Sequence, residues 1–584
     1  MHTACIPPEC RNLPVVAVIL SAPRVSQAMT HLDYRRRQFL KYALASTAAA
    51  TLPGFGLAQG QRVLNTSPNP AFRPDVEIEF TSRIAEVQIL PGARTSVFKY
   101  DGHVLRGPKT VLKTLSGYLG PTLSLVHGQK VRILFYNKLP EPSIIHWHGM
   151  HVPQNMDGHP MYAIEPGERY VYEFEVINRA GTNWYHAHTH EMTATQVYQG
   201  QAGLITVTDE QEKKLDLPQG EYDLPIVIQD RRFTSGNQLR YLSGMHERMT
   251  GFLGDTILIN GLANNVIQVK SRAYRLRLFN GSNSRIYKLG WEDGTPLTAI
   301  GTDGGLLNAP ETLPYIMLAP SERVELWVDF SGRKPGTNLM LRNLEYDVSH
   351  MGGMGGGMGH RRGMGGRGMS GGMGHGGEDG RGMGMGMRGP ALGESFAVVK
   401  FHIAQSADDS PRLPQSLAKI QKLTERDVSN PAKIIPIAAS MGHMSPQLNG
   451  RSFEMYEWED TEEIPVNTIQ KIRITNEHRG MRGGMRGGEG GGMGGMGMMS
   501  MPHPIHIHNQ QFQILSRRVK DHDASYASVK DGFINSGWKD TVLVMPGEEI
   551  DIIKPFEDYT GLFLYHCHNL EHEDMGMMRN FHVS

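Results

Sequence analysis

At 584 residues the chain is long enough for about three or four domains. Its 59 lysines and arginines balance 59 aspartates and glutamates, so no charge excess argues for nucleic acid or an anionic membrane as partner. The 33 methionines and 68 glycines exceed ordinary usage and need a local cause.

The first element in chain order is a leader. Arg35-Arg36-Arg37-Gln38-Phe39-Leu40-Lys41 precedes a modestly apolar run from Tyr42 to Leu57 and a small-residue end, Gly56-Leu57-Ala58-Gln59. A charged start, a short apolar core and an A-x-A-like exit read as a cleaved signal, too short to span a bilayer stably. The Arg-Arg-x-Phe-Leu-Lys core resembles a twin-arginine signal, the route for proteins exported already folded, often with cofactor. The expectation is a signal region over residues 1–59 and a mature chain in a bacterial periplasm. No later apolar run has the length of a transmembrane helix. Cys5 and Cys10 fall inside the leader, which leaves Cys567 as the one thiol of the mature chain, without an intramolecular disulfide partner.

From there the texture is all-β: short alternating runs bounded by Gly, Pro and Asn. A phrase recurs at Ile164–Phe174, Leu318–Phe330 and Val544–Phe556: a Pro-Gly or Pro-Ser turn, an acid, then a period-two strand. A second echo precedes each, in the strands ending at Asn137, Asn280 and Asn476. Two echoes in register predict three repeats of one β-sandwich unit, over residues 60–210, 211–405 and 406–584. Two low-complexity tracts interrupt them, His350–Arg388 in the second and Arg479–Met501 in the third. Rich in Gly and Met, neither can bury a core, and both are read as disordered insertions.

The chemistry lies in four histidine clusters: His146-Trp147-His148, His186-Ala187-His188, His503-Pro504-Ile505-His506-Ile507-His508, and His566-Cys567-His568. His-x-His on a strand places both imidazoles on one face, which suits one metal or two adjacent metals. Cys567, His572 and Met577 offer the thiolate, imidazole and weak axial thioether of a blue-copper site, which still needs a second imidazole. On a strand, His566 and His568 point away from the Cys567 face and serve a different metal centre, one residue away through covalent bonds.

In this order the clusters resemble those of a three-domain multicopper oxidase, across essentially the whole mature chain. The resemblance implies three consecutive cupredoxin-like Greek-key domains and four coppers. His503, Cys567, His572 and axial Met577 hold the type 1 ion, and His146 and His506 the type 2 ion. His148, His186, His188, His508, His566 and His568 hold the type 3 pair. It further implies one-electron oxidation of a reductant, transfer through Cys567, and four-electron reduction of dioxygen to water. Methionine at 577 implies a moderate potential. Asp157 and Glu573 match the family's proton-relay acids. The middle repeat, without a histidine cluster, reads as a spacer.

Thioethers favour Cu(I), and flexible Met-x-x-Met and Met-x-Met spacings can fold around such an ion. Within the family this looks like the copper-efflux type, a periplasmic cuprous oxidase whose Met-rich segment covers the type 1 site. The candidate substrate ligands are Met351, Met354, Met383, Met385, Met387, Met499 and Met501, with His360 and His375 for Cu(II). Met499 stands where that type carries an acid. The alternatives are a laccase-type oxidase of phenols or other organic reductants and a non-catalytic copper-binding protein. The chain is expected to be a monomer.

Overall fold

Val76, Ile78 and Phe80 alternate with polar neighbours and are fully buried, the period-two pattern by which a strand turns one face to a core. The same rule builds the described strands of all three repeats. The computed structural model describes residues 63–115, 117–348, 389–441, 445–476, 501–519 and 524–584. Residues 1–59, expected to be a signal region, lie outside the described residues, as do Met351, Met354, His360, His375, Met383, Met385, Met387 and Met499.

Among the described residues, six sheets form three consecutive cupredoxin-like sandwiches. In the first, Val76–Val87 runs parallel to Lys130–Asn137, which pairs antiparallel with Arg169–Glu175. The second repeats this with Asp223–Arg231, Ala273–Asn280 and Arg323–Asp329. The third uses Ile435–Met441, Thr468–Asn476 and Glu548–Phe556. Each sandwich has its own apolar core, as where Ile133 and Phe135 meet Leu123 and Ile205 from the opposite sheet of the first.

Both echoes have a hydrogen-bonding reason. The buried amides of Asn137, Asn280 and Asn476 donate to the carbonyls of Ile164, Leu318 and Val544, the residues that open the three recurring phrases. The acids after the turns, Glu168, Glu322 and Glu548, accept from the N–H groups of Glu165, Ala319 and Met545, each at 2.8 Å. Polar groups that sheet pairing leaves unmatched are thereby satisfied.

The sandwiches are packed together by apolar seams. Trp184 and Leu204 meet Val227, Leu258 and Phe279; Met317 and Ala319 meet Leu543 and Met545; Ala194 and Val197 meet Leu570. A polar knot adds to the first seam: buried Glu325 lies between Arg275 and Arg277 and accepts from Thr182 at 2.7 Å. Burial alone would raise the Glu325 carboxyl, yet the two guanidiniums hold it down to about 2. Among the described residues no helix is long and apolar enough to cross a membrane.

Candidate metal centre

Register brings the histidines together. His146 lies opposite His186 on paired strands of the first sandwich, and His506 opposite His566 in the third. Residues paired across neighbouring strands project to the same face. The two histidine-bearing faces meet, and all eight imidazoles are buried.

They sort into overlapping groups whose ring nitrogens converge: His148, His186 and His568; His188, His508 and His566; and His146 and His506 with His148. Nε2 of His566 lies 3.2 Å from Nε2 of His508 and 3.4 Å from Nε2 of His188. A metal ion with bonds of about 2.0 Å to nitrogen places two ligand atoms roughly 3.3 Å apart, so the donors stand where one ion joins them.

The outer nitrogens are fixed by acceptors. His146 donates through Nδ1 to the Asp157 carbonyl at 2.6 Å, His506 through Nδ1 to the Asp540 carbonyl at 2.8 Å, and His186 through Nδ1 to the Ala187 carbonyl at 2.8 Å. This leaves Nε2 of all three bare, buried and unpartnered, together with Nδ1 of His148 and both nitrogens of His568. Unpaired polar atoms are costly in an interior; a coordinated cation satisfies them. Burial first, then the neighbouring imidazoles, hold His186, His188, His506, His508 and His568 well below the ordinary histidine range. For His148, burial is followed by Arg323 and then the imidazoles. Neutral imidazole is the metal-binding form.

On the opposite face of the strand ending at Cys567, its sulfur lies 3.5 Å from Nδ1 of His503 and 3.8 Å from Nδ1 of His572. Met577 is fully buried beside them, its carbonyl accepting from the Cys567 N–H at 3.0 Å. Burial pushes the Cys567 thiol upward, so the free side chain keeps its proton and a bound metal is needed to hold the thiolate. A soft sulfur with two imidazoles suits copper.

Two family profiles described as multicopper oxidase match residues 99–212 and 443–584. A multicopper oxidase, mco, of Staphylococcus epidermidis is 30% identical over 466 residues, 80% of this chain and 82% of that protein. The chain belongs to the multicopper oxidases. The laccase of Bacillus subtilis is 28% identical over 533 residues, 82% of this chain and 91% of its own. The crystal structure of the multicopper oxidase McoA from Aquifex aeolicus superposes with a TM-score of 0.67 at 29% identity, covering 88% of this chain and 97% of that one. As a multicopper oxidase the chain is an oxidoreductase that carries copper and passes electrons from a reductant to dioxygen.

Both acids expected near the cluster touch it. Asp157 accepts from Nδ1 of His508 at 2.7 Å, and Glu573 lies 3.0 Å from Nδ1 of His566 and 3.6 Å from Nε2 of His188. Met501 is buried two residues before His503. A third acid, Asp540, had no spacing signature to mark it, yet its carboxylate lies 3.1 Å from Nε2 of His148. Arg323 grips Asp540 at 2.5 Å and donates to the Thr182 carbonyl of the first sandwich at 3.0 Å. The middle repeat is therefore more than a spacer: it contributes no histidine to the described clusters, but its arginine braces the acid that positions His148. Gly149 makes room for this contact, because at φ +86° a Cβ there would meet Arg323 Nη2 and Asp540 Oδ2 at 2.7 Å.

Proposed function

We propose that this multicopper oxidase oxidises Cu(I) in the periplasm, reducing dioxygen to water and serving copper tolerance. In this reading His503, Cys567, His572 and Met577 hold type 1 copper, and His146 and His506 type 2. His148, His186, His188, His508, His566 and His568 hold a type 3 pair. Copper so bound supplies one-electron acceptance at the thiolate and four-electron chemistry toward dioxygen at the histidine cluster. The chain's own part is connection and proton supply. Cys567 is joined by two peptide bonds to the cluster ligands His566 and His568, so the two centres share a covalent path. Asp157 holds the proton of His508 Nδ1, and Glu573 stands ready to exchange one beside His566. Export by the twin-arginine route is part of this reading, since the histidine cluster draws its donors from the first and third sandwiches and forms only once both have folded.

The observation that carries Cu(I) as reductant is the methionine load beside a ligand: Met498, Met499 and Met501 stand within five residues of His503, and thioethers select the cuprous ion. The test is oxygen uptake with stabilised Cu(I) as sole reductant, for the mature chain and for one lacking residues 351–388. Rapid uptake that collapses in the shortened chain supports the reading. Slow uptake in both, with brisk uptake on a phenol, replaces it with a laccase-type oxidase, the second reading favoured by the similarity to the Bacillus subtilis laccase.

A further inference from the structure

The outward-facing edge of His572 is not open to solvent. Its Nδ1 faces the Cys567 sulfur, and its Nε2–H donates to the main-chain carbonyl of Met249 at 3.1 Å. Met249 belongs to a short helix, Met245–Thr250, carried by the middle sandwich. His572 itself is fully buried, while Met245 on the outer side of the helix is 57% exposed.

The helix sits in a strap, residues 241–252, whose two ends are tied to one side chain. Glu571, the residue just before His572, accepts from the Tyr241 hydroxyl at 2.6 Å and from the Phe252 N–H at 3.1 Å. The same carboxylate takes the Asn283 amide at 2.9 Å and the Ser284 hydroxyl. Gly251 lets the strap dive toward this anchor: at φ +86° a Cβ would meet Ser284 at 2.5 Å and Asn569 at 2.7 Å. Midway, Glu247 is paired with Arg232 at 2.8 Å. Two clamped ends and one central tether hold a single peptide carbonyl against the ligand.

We infer that the strap is the gate through which reductants deliver electrons, with the Met249 carbonyl as the last contact before His572. This rests on the type 1 assignment of His503, Cys567 and His572. A donor on the outer face loses one electron. With copper held by His503, Cys567 and His572, that electron would cross the Met249–His572 hydrogen bond to the ion, and no atom or proton would cross with it. The closed strap denies bulky aromatic donors stacking contact with the imidazole, whereas a small ion can approach the helix face beside Met245 and Met249. The strap thus determines specificity, selecting reductants by size.

The experiment uses the copper-loaded full chain and a Tyr241→Phe/Ser284→Ala variant, which removes two donors to Glu571 and keeps the Tyr241 ring. Electron spin-echo spectra of the oxidised type 1 centre after transfer to D2O follow exchange of the His572 Nε2 proton. Anaerobic stopped-flow bleaching of the blue band by a bulky bis-phenol and by stabilised Cu(I) gives the second readout. Exchange is expected to be slow in the parent and about tenfold faster in the variant, as loss of buried charge-assisted bonds favours local opening. Bis-phenol bleaching is expected to rise by about tenfold as well, with Cu(I) bleaching changing by less than about twofold. Exchange in the parent as fast as in an exposed imidazole overturns the gate. So does bis-phenol bleaching that stays constant while exchange accelerates. Glu247→Gln, which frees only the central tether, supplies the same two readouts if the double variant does not fold; unaltered exchange and bleaching there also overturn it. A copper-loaded parent with no blue band sinks the type 1 assignment and the gate together, whereas a blue parent with an open imidazole sinks the gate alone.

Discussion

The carboxylate of Asp540 lies 3.1 Å from Nε2 of His148 and so fixes which ring nitrogen is free for metal. The same residue fixes His506 through its main-chain carbonyl, so two ligands are oriented by one residue. Acceptors behind metal-binding histidines are worth roughly 10–100-fold in metal affinity. Asp540→Asn is expected to lose copper from the histidine cluster by that factor in chelator competition, while the Cys567 centre stays blue.

Arg323→Ala tests the brace. Burial opposes a charged Asp540, but Arg323 keeps its carboxyl well below the ordinary range. Removing one partner of a buried pair costs about 3–5 kcal/mol, because the other charge remains uncompensated. Denaturant unfolding of the metal-free variant should show a loss of that size; a loss under about 1 kcal/mol would place the pair in the weak, solvent-screened class.

Cys567→Ser separates the two centres. The variant should lose the blue colour and the oxidase activity while retaining the copper bound by the eight histidines, read by metal analysis and electron paramagnetic resonance. Blue colour persisting in it would falsify the type 1 assignment.

Asp157→Asn and Glu573→Gln probe proton delivery. Positioned acids contribute about 10²–10⁴-fold. Oxygen consumption should fall within that range, with anaerobic bleaching of the blue band unchanged. Equal slowing of both steps would make these carboxylates structural supports.

The metal-free chain should be acid-sensitive. Burial, the first cause in each case, lowers His186, His503 and His568 well below 6.5 and His572 to about 4. The unfolded chain therefore binds protons that the folded chain refuses. This stability is present above about 6.5 and is lost as pH falls toward 4, at about 1.4 kcal/mol per pH unit for each histidine. Glu325 acts lower: its folded value of about 2 gives stability present above its ordinary 4.5 and lost as pH falls toward 2. Thermal melts should show apo stability declining from near neutrality and copper-loaded stability holding further down. Parallel curves for the two forms would exclude the buried imidazoles as the cause.

Much of this was legible in the sequence. The strands ending at Asn137, Asn280 and Asn476 announced the repeats, because a buried asparagine has to close the same loop in each. His-x-His and His-Cys-His marked, through strand alternation, the faces on which the imidazoles and the thiol converge. Asp540 and Arg323 left no trace: one acid and one arginine, 217 positions apart, acquire meaning only when two sandwiches dock. Glu571 and Met249 were hidden for a different reason. One works through a carboxylate beside a conspicuous histidine, the other through a peptide carbonyl that any residue possesses.

Donors from the first and third sandwiches meet, with Arg323 of the second wedged behind them. No partial chain can assemble this set: one that ends before the strand His503–Ile507 has only half of the cluster's imidazoles. Metal capture by the histidine cluster thus reports that the first and third sandwiches have docked. Truncated or misdocked chains cannot close the histidine cluster, whereas the Cys567 centre draws His503, Cys567 and His572 from the third sandwich alone.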